Sequence, residues 1–104
     1  MIVVSREVGN ATMIGDDLEV LVESIGQRTV ELRVTRREIN GRLTTETTHR
    51  LALKEPLDLG NGCTCTLIDL RPPKARLGFD APKSTSIHRK EVWEAIRRKM
   101  QGET

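Results

Sequence analysis

The sequence is almost without aromatic residues: one Phe, one Trp and no Tyr in 104 positions. Proteins that hold single-stranded nucleic acid by stacking bases need a supply of exposed rings. Any such recognition by this chain must rest on backbone groups, arginine and aliphatic contacts. Cysteine is equally scarce. Cys63 and Cys65 lie two apart on an alternating segment, which on a strand puts both side chains on one face, a spacing that does not favour an unstrained disulfide. A structural zinc site wants four ligands in two close pairs, and the sequence has no second pair, so no metal is expected. A reduced, cytoplasmic setting fits this usage. No apolar run reaches membrane-spanning length, so no membrane partner is expected, and the start Met1-Ile2-Val3-Val4-Ser5-Arg6 reads as lacking a secretory leader. No nucleophile–base pair, phosphate loop or metal cluster stands out; neither an enzyme nor a cofactor is expected.

What is present is charge of both signs. Charged residues make up 31% of the chain, yet the formal net charge is only +2, compatible with nucleic acid without demanding it. The length suits one compact domain over residues 1–104.

Short alternating segments dominate. Ile2 to Arg6 reads as a strand, Gly9-Asn10 as a turn, and Ala11 to Ile14 as a second strand stopped by Gly15-Asp16-Asp17. Leu18 to Val22 follows, then a turn at Gly26-Gln27-Arg28. Thr29 to Val34 gives the cleanest alternation, with Val30, Leu32 and Val34 inward. Asn40-Gly41 signals a hairpin, and Arg42 to Thr48 an exposed strand. Short apolar pieces at Leu51–Leu53 and Leu57–Leu59 flank Glu55-Pro56. Cys63–Leu70, Ala75–Phe79 and Ser84–His88 complete the strands. From Lys90 the period changes: Val92, Trp93, Ile96 and Met100 recur at helical spacing, with Arg97, Arg98 and Lys99 near the C-terminal end, where cations suit the helix dipole. The expected fold is mostly antiparallel β with one C-terminal α-helix. Trp93 is expected to be a core or helix-docking residue. Gly15–Val34 and Gly60–Phe79 also echo one another at equal length, which is either chance likeness of two hairpins or a partial duplication.

The two ends of the chain carry a resemblance. Met1 to Asp16, MIVVSREVGNATMIGD, resembles the opening of the carbon storage regulator (CsrA/RsmE) family, and Lys74 to Val92, KARLGFDAPKSTSIHRKEV, resembles its second half. With Gly60 to Lys83 as the family's central hairpin, residues of about 17–59 would be an inserted β segment. The resemblance implies an antiparallel, barrel-like CsrA fold built as an interlocked homodimer, in which the first strand of one subunit pairs with the last of the other. If the insertion repeats the hairpin, a single-chain pseudo-dimer is the alternative, with the first strand paired to Ser84–Arg89 of its own chain. The resemblance further implies an RNA-binding regulator of translation that takes GGA-containing segments of messenger leaders or of small regulatory RNAs.

By position it points to Val4, Ser5 and Arg6 on the first strand, and to Ala81, Pro82, Ile87, His88 and Arg89 at the other end. A guanidinium presents a planar fork of donors suited to phosphate or a guanine edge, and Pro82 would stiffen the presenting loop. His88 reads more readily as a structural strand residue than as a chemical group. Arg36-Arg37 and Arg97-Arg98-Lys99 read as solvated charge that could widen the surface. Glu7 stands where the family has a second Arg. Its charge repels phosphate and keeps open a second class of function, a CsrA-like protein-interaction module or antagonist with weakened RNA binding.

Overall fold

The computed structural model describes residues 1–37 and 44–102, with side chains as far as Met100. The expected Asn40-Gly41 turn lies outside the described residues. The order is β1 (Ile2–Glu7), β2 (Ala11–Ile14), β3 (Leu18–Ile25), β4 (Thr29–Arg37), β5 (Thr44–Ala52), β6 (Pro56–Gly60), β7 (Cys63–Arg71), β8 (Lys74–Asp80), β9 (Ile87–Arg89) and α1 (Lys90–Gly102). Every pairing is antiparallel, in one sheet β1-β8-β7-β6 and another β5-β4-β3-β2-β9.

Alternation explains the core. Val20, Val22, Val30 and Leu32 from one sheet and Cys65, Leu67, Leu77 and Phe79 from the other are at most 1% exposed and form one cluster. Each such aliphatic or aromatic side chain stabilises the fold by about 1.5–3 kcal/mol.

Three details differ from the sequence reading. First, Thr44–Ala52 is one continuous strand rather than separate pieces, because β4 is long enough to pair it throughout, from Arg37↔Thr44 to Thr29↔Ala52. Second, the last strand begins at Ile87, not Ser84: the Thr85 N–H donates to the Pro82 carbonyl at 2.9 Å and closes a turn first. Third, the first strand does not pair with the last within the chain, the pairing that the single-chain alternative expected. β1 pairs with β8 over Ile2↔Phe79 to Glu7↔Lys74, and β9 pairs with β2 over Thr12↔Arg89 to Ile14↔Ile87. β8 offers seven residues and buries Leu77 opposite Val4, whereas β9 has only three residues to offer.

The two sheets are numerically related. Adding 45 to each residue number turns the β1–β8 register (Ile2↔Phe79, Val4↔Leu77, Arg6↔Ala75) into the β5–β4 register (Thr47↔Val34, His49↔Leu32, Leu51↔Val30), with the partner's number falling by 45. The same shift carries the irregularity between Val22 and Ser24 onto that between Leu67 and Asp69. It carries the turn after β1 onto the turn after β5: Asn10 N–H to Glu7 O becomes Glu55 N–H to Ala52 O, and Gly9 N–H to Val22 O becomes Lys54 N–H to Leu67 O. Gly9 and Lys54 both have positive φ, as do Gly15 and Gly60. A lysine there adopts a conformation that L side chains disfavour, so the turn geometry was kept where the glycine was not. The echo seen between Gly15–Val34 and Gly60–Phe79 thus reaches from β1–β4 to β5–β8.

Candidate nucleic-acid interface

β1 and β9 are each one of the two edges of their respective sheets among the described residues, and β1 meets the β9–α1 segment at two points. At one end Met1, Ile2, Ala81, Pro82, Lys83 and Ile87 line a surface pocket of about 240 Å³. At the other, Arg6 and Glu91 close a clamp. The Arg6 guanidinium donates to Glu91 Oε1 at 3.0 Å and Oε2 at 2.8 Å, and also to the Ala11 carbonyl at 2.9 Å. Its side chain is 7% exposed, that of Glu91 58%. The fork of bonds from Arg6 is the main reason the Glu91 carboxyl is held down to about 2.

Between these points lie the other positions named from sequence. Ser5 is exposed beside the buried Val4. His88 is half-buried on β9 and Arg89 is exposed, with no ion-pair partner among the described residues. Ala81 and Ile87 are half-buried, and Pro82 is exposed. The eight positions therefore gather along one pair of edges, but they do not all present side chains. Val4 offers only its edge-strand backbone, and the fork of Arg6 is already filled. Glu7 lies at the far end of β1 from the pocket, in a separate groove of about 310 Å³ with Val8, Ile25, Pro72 and Pro73.

Local sequence explains the seating. The Gly15 N–H donates to the Ser86 carbonyl at 2.7 Å, fixing the entry to β9. A side chain at Gly62 would lie 3.4 Å from Pro82 Cγ, so a glycine there leaves the loop close to the β6–β7 turn. α1 rests on β2 and β9. Trp93 docks it as expected, its Nε1 donating to Asp16 Oδ1 at 3.0 Å with Arg97 stacked 5.1 Å from the ring centroid. Val92, Ile96 and Met100, read as one apolar stripe with Trp93, are exposed. Each of the two arginine groups has an engaged member: Arg36 donates to the Leu59 carbonyl and pairs with Asp17 at 3.7 Å, and Arg97 pairs with Asp16 at 3.5 Å.

Sequence reasoning did not find Glu91 as the partner of Arg6. The pair spans 85 positions, and only the placement of α1 behind β2 brings them together. Cys63 and Cys65 face inward, buried and free, and burial pushes the Cys65 thiol up to about 12.

Comparison with known proteins falls on the C-terminal half of the chain and so on one side of this site. A family model described as CsrA, the global regulator protein family, matches residues 52–98, which run from the end of β5 through β9 into α1. The translational regulator CsrA of Rhodopirellula baltica is 36% identical over 44 residues, 42% of this chain and 63% of that protein. This chain thus spans a little under two thirds of the length of that curated relative. No solved structure matches. The family model does not reach Met1–Asp16, the stretch resembling the family's opening. No helix among the described residues is long and apolar enough to cross a membrane. Residues 52–98, which carry the Ala81–Arg89 segment and run into the C-terminal helix, are similar to the CsrA family, and that likeness covers a little under half of the chain.

Proposed function

We propose that this chain is an RNA-binding post-transcriptional regulator that takes GGA-containing segments of messenger leaders along the β1–β9 edges. The observation carrying the reading is the meeting of two strand edges with a pocket at one end and an unpaired arginine between. Edge-strand N–H and C=O groups read a splayed base without any ring, which suits a chain this poor in aromatics. Arg89 supplies the charged fork, and the pocket beside Ala81, Pro82 and Ile87 accepts the base. Ser5 and His88 border the path. Arg6 and Val4 hold β1 in place rather than touching RNA through their side chains. The reading assigns binding and no catalysis, and places its action in the cytoplasm, where leaders meet ribosomes. A relative named as a translational regulator supports the class of function.

The runner-up, a protein-interaction module or antagonist, draws on Glu7 and on the exposed Val92, Ile96 and Met100 of α1. Salt separates the two. Contacts to phosphate release counterions, so RNA affinity falls steeply as salt rises, whereas an apolar protein contact does not. Titration with a hairpin carrying GGA in its loop, beside one with the loop scrambled, is expected to give clear preference for GGA and a negative salt slope. Equal, weak binding to both hairpins would refute the RNA reading. The homodimer expected from the family resemblance competes here with closure within one chain.

A further inference from the structure

We propose that one chain is a closed pseudo-two-fold unit, two copies of a four-strand element, and that it carries a single RNA edge because only the second copy kept the strand and helix that complete one. The inference uses the RNA reading above only to count sites. Copy one is β1–β4 and copy two is β5–β8, related by the shift of 45 in strand register, bulge position and turn hydrogen bonds. Burial follows the same rule: Ile14, Leu18, Val20, Val22, Val30, Leu32 and Val34 are buried, and so are Leu59, Cys63, Cys65, Leu67, Ala75, Leu77 and Phe79. Each copy lends its first strand to the other's sheet, β1 to β8 and β5 to β4. Two elements that exchange strands in this way would ordinarily sit on two chains. Here both lie on one, and the exchange is satisfied internally.

The symmetry is broken at one place. Copy two continues into β9 and the 13-residue α1, and β9 covers the edge of β2. Copy one has only six residues between Arg37 and Thr44, too few for a strand and such a helix. The edge of β6, counterpart of β2, has no strand beyond it among the described residues.

That vacant edge is closed by side chains. The Gly15 N–H goes to Ser86 beside β9, but its counterpart Gly60 donates to Asp58 Oδ1 at 2.8 Å. The Leu59 carbonyl accepts from Arg36, a residue whose counterpart in the complete edge is Ala81. Pro56, counterpart of Ala11, has no N–H to give. A donor-less proline and side-chain caps are the means by which sheets keep an edge from pairing. The β5–β6 edge therefore neither recruits a second chain nor repeats the RNA site, and Arg50, counterpart of Ser5, pairs with Glu31 at 3.4 Å instead.

Native mass spectrometry of the full chain, alone and with excess GGA hairpin, tests this. The expected result is the 11.7 kDa mass of one chain, shifting by one hairpin and no more. R89A is expected to lose about tenfold or more in affinity and R50A to stay within about twofold. A mass of two chains at micromolar concentration overturns the internal closure. Two hairpins per chain, or loss of affinity in R50A equal to that in R89A, overturns the single edge. A one-chain mass with no hairpin bound upholds the closure and sinks the RNA reading together with the single-site count.

Discussion

Arg6 and Arg89 show how the same residue type takes opposite parts in one site. Both were legible as candidates because the family resemblance points to them by position, and a guanidinium suits phosphate or guanine. Only their surroundings separate them: Arg6 is enclosed by Glu91 and the Ala11 carbonyl, Arg89 faces solvent. Replacing Arg89 by Ala is expected to leave the thermal midpoint unchanged while RNA affinity falls, since a charge-assisted hydrogen bond contributes about 1.5–3 kcal/mol. Replacing Glu91 by Ala leaves a buried guanidinium short of its partner and is expected to cost about 1–3 kcal/mol of stability in denaturant melts. Because the Glu91 carboxyl is held down to about 2, its share of stability is present above the ordinary carboxylate range and disappears as pH falls through about 2. The wild-type and Glu91→Ala melting curves should therefore converge in strong acid. Buried Cys65, with its thiol pushed up to about 12, should resist iodoacetamide at pH 8 and label only on unfolding.

At the scale of elements, alternation told where strands run but not which strands meet. Leu18–Val22 and Thr29–Val34 were readable because one face is apolar and a turn joins them, and the strands run on to Ile25 and Arg37. β5 was readable only in its first part, as an exposed strand to Thr48; exposed on both faces there, it gave no period-two signal to carry it on to Ala52. The partner of β1 was beyond reach for another reason: Val4 is equally content against any buried neighbour, and long-range register is fixed by the whole sheet. α1 announced itself by period, yet its Val92, Ile96 and Met100 stripe is exposed, and its hold on the fold comes through Trp93 with Asp16 and through Glu91. Trp93→Ala is therefore expected to loosen α1 and, through Glu91 and Arg6, the β1 edge. The measurable sign is faster amide exchange over Lys90–Gly102 and Ile2–Glu7 with the rest unchanged.

Across the whole molecule, a shift of 45 residues relates two sheets, and one extra strand and helix make them unequal. A fragment of that relation was present in the sequence as two hairpins of equal length. Its extension to β1 and β5 was hidden because the two strands share almost no residue types: Val4 and Arg6 answer to His49 and Leu51. The location of the candidate site at the two ends of the chain was legible from motif; its construction from two sheet edges needed the fold. The account centres on RNA lying along β1 and β9 and nowhere else. Hydrogen–deuterium exchange of the chain with and without a GGA hairpin tests that claim most directly. The account predicts new protection over Ile2–Arg6 and Ala81–Arg89, with Thr44–Gly60 unchanged; protection over Thr44–Gly60, or none in the first two segments while RNA is bound, would contradict it.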